Sequence, residues 1–106
     1  MNYRYMRTLL MFDLPVETVQ NRRDYRKFVK FIMGMGFVRM QKSVFSKLTI
    51  NEHAVSVEKN KVADNLPHDG MISWLTITEK QFQEIDNLLG DPTVPVEMSD
   101  KRYLEI

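Results

Sequence analysis

Proline at position 15 divides the first third of the chain into two segments that obey different rules. Upstream, RYMRTLLMFDL (residues 4–14) is rich in apolar side chains over too short a span for a helix. A proline neither donates to a ladder nor continues a helix, so this segment is predicted to be a buried strand that ends near Asp13. Downstream, from about Thr18, the residues Tyr25, Phe28, Val29 and Ile32 recur at i, i+3, i+4 and i+7, which gathers them on one helical face, and Gly34 and Gly36 supply the stop. Arg22, Arg26 and Lys30 are spaced by four and flanked by Arg23 and Lys27, so a cationic stripe faces away from the core.

The remainder is less sharply written. FVRMQKSVFSKLTI (37–50) alternates well enough for one long strand, with Val44, Ser46, Leu48 and Ile50 on one face and Phe45, Lys47 and Thr49 on the other. Because both faces carry polar and apolar groups, the pattern allows a kink or a bulge. A weaker helix is predicted over 51–66 on Val55, Val62 and Leu66, ended by Pro67 and the HDG turn. MISWLTIT (71–78) is the clearest β segment. Thr78 and Gln81 have the spacing of a capping box, EIDNLL (84–89) reads as a returning strand, and the tail at 93–106 suits a sheet edge. With one helix between the second and third strands the order is β-α-β-α-β-β; a strict β-α-β-β-α-β requires 40–50 to hold two strands or a helix at 79–84 to be the second one, and periodicity leaves this open. Both orders lead to an α+β ferredoxin-like sandwich, an antiparallel sheet with helices on one face and the other face open to a partner, which makes a homodimer the expected state.

A chain of 106 residues, 43% hydrophobic, has material for one core, so residues 1–106 are expected to form a single domain. The absence of cysteine excludes disulfides and thiolate-bound zinc, and His53 and His68 are the only imidazoles, so any metal is expected to be a hard cation held by oxygen. No apolar run approaches the roughly 20 residues that span a bilayer, and Arg4 and Arg7 interrupt the N-terminus, so no membrane association and a cytoplasmic location are expected. The net charge of +1 conceals a split: residues 1–53 carry ten Lys or Arg against four Asp or Glu, net +6, and residues 54–106 carry five against ten, net −5. An anionic partner is expected for the first half.

Asp13, leaving the sheet at a strand end, ordinarily caps a turn. Near a two-fold axis it would appear twice, and two facing carboxylates repel unless a proton or a cation lies between them. One Mg²⁺ shared across a dimer meets that need, since it takes few carboxylates and keeps several waters. The stripe Arg22, Arg23, Arg26, Lys27 and Lys30 ordinarily solvates a helix. If it joins Arg4, Arg7, Arg39 or Lys42 in about 6 to 10 phosphate contacts, affinity should fall about 10³- to 10⁵-fold between about 50 and 200 mM salt. Phe28, Phe31, Phe45 and Trp74 read as core or interface residues and the methionines as packing filler.

FDLP, RRDYRKF and GFVRMQKSVFSKL, taken in order, resemble the small CRISPR-associated adaptation protein, the Cas-two family, in the form that accompanies Cas-nine type systems. The match covers residues 4–48 well and ISWLTITEKQF more loosely. The resemblance implies a ferredoxin-like homodimer that joins two dimers of the CRISPR integrase and holds duplex DNA for spacer acquisition. It also implies a Mg²⁺-dependent endonuclease acting on single-stranded RNA or duplex DNA. Carried over, the strand-end aspartate is Asp13, the metal ligand and a catalytic residue; the helix-start arginine is Arg22; Arg39 precedes the segment of Gln41, Ser43, Val44 and Phe45; and Arg39 or Arg22 would stabilise the charged transition state. Phe12 stands where many relatives have tyrosine, and Lys42 where an aromatic is common. A toxin-like metal-dependent endoribonuclease is the alternative that the resemblance leaves open.

Overall fold

The computed structural model describes residues 5–91. The first strand, β1 (Met6–Asp13), stops two residues before Pro15, as the proline requires. Helix α1 (Val19–Gly34) begins at Thr18, whose side chain accepts from the Asn21 N–H at 2.9 Å while the Asn21 side chain accepts from the Thr18 N–H at 3.3 Å. This reciprocal cap satisfies two of the donors that a helix start leaves orphaned. Phe28 and Ile32 are buried and Tyr25 and Val29 pack beside them, which is the face set by the apolar spacing. Met35 caps the other end and Gly36, at φ +101°, turns the chain back.

Residues 37–50 do not form one strand. They form a hairpin of β2 (Val38–Gln41) and β3 (Val44–Thr49), turned at Lys42 and Ser43, with the register broken between Arg39 and Gln41. The turn holds no Gly, Pro, Asn or Asp, so the usual signals that punctuate a hairpin are missing and alternation runs through it unbroken. The irregularity allowed by the mixed faces is present as the register shift.

Helix α2 (Glu52–Ala63) starts at Asn51, whose side chain accepts from the Ala54 N–H at 2.8 Å, and buries Val55 and Val62. It ends earlier than the pattern suggests, leaving Leu66 exposed beyond it. Strand β4 (Met71–Thr78) follows, and the Thr78–Gln81 capping box opens a short α3 (Glu79–Gln83). The returning strand expected at EIDNLL is absent: these residues are irregular, with Leu88 and Leu89 almost wholly exposed, because their apolar side chains meet no face among the described residues to bury against. The edge strand expected at 93–106 lies outside the described residues.

The element order β1-α1-β2-β3-α2-β4 and the sheet order β2-β3-β1-β4, antiparallel throughout, make a ferredoxin-like sandwich. Leu10, Phe12 and Phe45 from the sheet, Phe28 and Ile32 from α1 and Val62 from α2 join in one cluster, so both long helices cover the same face. Phe12 sits at its centre, edge-on to Phe28 at 5.4 Å and stacked on Phe45 at 5.6 Å. Lys47 of β3 pairs with Glu58 of α2, which also accepts from the Thr49 hydroxyl at 2.8 Å, so the polar end of this layer is closed by charge-assisted bonds.

Candidate functional site

Strand alternation decides where Asp13 points. Leu10 and Phe12 face the helices, so Leu9, Met11 and Asp13 lie on the other, open face of β1. Register adds Val44 and Leu48 from β3, Val38 from β2 and Met71, Leu75 and Ile77 from β4 to that face. Asp13 is therefore an exposed carboxylate at the rim of an apolar surface, opposite Met71. Its strand end is fixed by the Phe12 N–H, which donates to the Ser43 carbonyl at 3.0 Å, giving the Ser43 of the QKSVF segment a backbone role beside the acid. The Phe12 ring points to the core, so a hydroxyl at position 12 would lie across the sheet from the Asp13 carboxylate rather than beside it.

Arg39 does not join Asp13 within one chain. It pairs across from Phe45, its guanidinium stands 5.1 Å over that ring, and it therefore lies on the helix side of the sheet, two strands away from β1. Lys42, exposed in the hairpin turn, sits where the Tyr25 hydroxyl reaches its carbonyl at 3.5 Å.

On α1 the stripe separates into two parts. Arg23, Arg26, Lys27 and Lys30 are exposed, and among the described residues no carboxylate pairs with them. Arg22, also exposed, instead turns back on the loop, its Nη1 donating to the Val16 carbonyl at 3.0 Å and the Glu17 carbonyl at 3.1 Å. Arg7 is also committed, gripping Glu79 through Nε and Nη2 at 2.9 and 2.8 Å with its guanidinium 4.1 Å from the Phe82 ring. The hydrogen bond from Arg7, reinforced by Gln83 and by the Arg7 charge, holds the Glu79 carboxyl below its ordinary range, outweighing the opposing cost of burial. Sequence reading grouped Arg7 with the phosphate contacts; its only hint of a partner was the capping box that brings Glu79 back to β1. Arg4 lies outside the described residues.

Among the described residues no three of His, Asp and Glu gather as a metal site, and His53 and His68 stand apart on the surface. An open groove of about 450 Å³ between α1 and residues 64–68 touches the stripe only at Lys27. The donor chemistry of Asp13, a single exposed carboxylate, fits a hard cation that keeps most of its waters.

The sequence profile described as CRISPR associated protein Cas2 matches residues 6–85, from β1 through α3. The chain belongs to the Cas2 family. It is 42% identical over 99 residues to a "CRISPR-associated endoribonuclease Cas2" of Streptococcus mutans, covering 93% of this chain and 91% of that protein. Proteins of the same description from Treponema denticola and Ligilactobacillus salivarius are 38% and 36% identical, each over 93% of this chain and 98% of their own length. Cas2 relatives thus align along nearly the whole chain, including Asp13 and α1, and no described helix is long and apolar enough to cross a membrane.

Proposed function

We propose that this Cas2 chain acts in CRISPR adaptation in the cytoplasm as a homodimeric scaffold, gripping duplex DNA and bridging dimers of the CRISPR integrase, and that it carries a Mg²⁺-dependent endonuclease activity toward RNA or DNA. The carrying observation is the ridge of Arg23, Arg26, Lys27 and Lys30, exposed and without carboxylate partners among the described residues. Such a ridge has the charge to meet a row of duplex phosphates, and pairing two chains through their open apolar faces would present it twice. The same pairing would bring a second Asp13. The two carboxylates would hold the cation, which supplies an acidified water and neutralises phosphate charge. Within one chain, the ridge binds and orients the strand, the hairpin end places Lys42 at its rim, and Arg39 serves on the helix side as a further phosphate contact rather than as a partner of its own Asp13. The endoribonuclease description of the relatives supports the hydrolytic part of this reading.

One experiment separates the two roles. Asp13→Ala should abolish Mg²⁺-stimulated cleavage of RNA and DNA and leave spacer integration intact, whereas charge reversal of Arg23, Arg26 and Lys30 to Glu should abolish duplex binding and integration together. Integration lost with Asp13→Ala would make hydrolysis the biological role. Duplex binding retained in the reversed chain would remove the scaffold.

A further inference from the structure

The chain is held at two points near Asp13, one against its own backbone and one in the loop that follows it. Gly70, just before β4, has φ of +106°, a conformation that L side chains rarely adopt. A β-carbon there would lie 2.8 Å from the Asp13 carbonyl oxygen and 3.1 Å from Leu14 Cα, as well as 2.6 Å from Leu14 Cδ2. The leucine tip could swing aside, but the backbone atoms could not, because Asp13 is held in register with Met71 and Leu14 is buried. Beyond Pro15, Arg22 Nη1 reaches back to the Val16 and Glu17 carbonyls and ties the loop to the first turn of α1. The Asp13 carboxylate is exposed, so what the fold holds is the backbone from which it extends, with no side chains packed to fix the carboxylate itself.

We infer that Gly70 and Arg22 are positioning residues for the Asp13 carboxylate, with Arg22 acting on the loop and not on phosphate. The inference rests on the reading of Asp13 as a cation ligand. It moves Arg22 out of the ridge, leaving Arg23, Arg26, Lys27 and Lys30 to meet the nucleic acid, and it gives the glycine of the HDG turn a reason to be glycine.

The test compares Gly70→Ala, Arg22→Gln and, as a ridge control, Arg26→Gln in the full chain. Three quantities are read: amide hydrogen exchange at residues 13–18 without metal, the Mn²⁺ concentration that half-broadens the resonances of residues 12–16, and the salt slope of duplex binding. Gly70→Ala and Arg22→Gln should speed exchange about tenfold by loosening the loop locally, and should raise the Mn²⁺ midpoint several-fold. Arg22→Gln should leave the salt slope at its wild-type value, while Arg26→Gln lowers it by about one and changes neither exchange nor midpoint. Unchanged exchange and midpoint in Arg22→Gln, with a slope reduced as in Arg26→Gln, overturn the inference even if Gly70→Ala fails to fold. A wild-type chain that Mn²⁺ does not broaden at residues 12–16 overturns the ligand reading and the inference with it; a wild-type response unaltered in the variants overturns the inference alone.

Discussion

The two faces of the sheet are made by the same strands and meet opposite fates. Toward the helices, Leu10 and Phe45 are 0% exposed; away from them, Val38 is 64% and Met71 69% exposed, in a field shared with Leu48 and Leu75. Two helices suffice to cover one side of four strands; on the other, among the described residues, α3 packs only on the Arg7 end, through Glu79 and Phe82, and leaves Val38, Leu48, Met71 and Leu75 exposed. The difference separates what stabilises one chain from what is available to join two.

The strongest way to test that division is to empty the closed side. Phe45→Ala removes a ring in contact with Phe12 and should cost about 3–5 kcal/mol in the unfolding free energy read by urea denaturation. A loss under about 1 kcal/mol would mean that the cluster does not hold the chain together. Next, the open face should behave differently: Leu48→Asp with Leu75→Asp should weaken self-association at least about 100-fold by sedimentation, because charge would be buried where leucines met. The same pair should change the stability of the separated chain by only about 0.5 kcal/mol per site, since both side chains are already largely exposed. A monomer before and after substitution would end the dimer reading.

The smallest effect sharpens the boundary between the faces, at α3. Glu79 has its carboxyl held low by Arg7, so it binds fewer protons in the folded than in the unfolded chain over the acid range. Its contribution, about 1 kcal/mol for a partly exposed bidentate pair, is fully present above the ordinary glutamate value and is lost as pH falls below that value through the depressed one. Urea unfolding of the wild type and Glu79→Gln should therefore differ at pH 7 and converge toward pH 2. A difference that persists in acid would assign the effect to something other than ionisation.

Local signals proved legible where physics is local. Thr18, Asn51 and Thr78 each begin a helix because their side-chain oxygens can satisfy an N–H three residues on, and that spacing is visible in the residues alone. The hairpin at 38–49 was not legible, since its turn residues Lys42 and Ser43 carry no conformational demand and the reversal is imposed by pairing to β1. At the candidate site, Asp13 and the exposed helix cations were readable from pattern. The diversion of Arg22 to two carbonyls, of Arg7 to Glu79, and the placement of Arg39 across the sheet depend on groups distant in the chain or on register, which composition and spacing do not encode.

The amino-acid order by itself determined that a strand must stop before Pro15, that an amphipathic helix with a cationic outer face must follow, and that the chain has apolar residues enough for one domain. Each of these depends on neighbours within a few positions. Tertiary structure alone decided which side of each strand the helices would cover, and hence that Asp13 would stand on the uncovered face and Arg39 on the covered one. The reason is that a one-residue change of register exchanges every side chain between faces, so a site's composition is set only when strands far apart in sequence have paired.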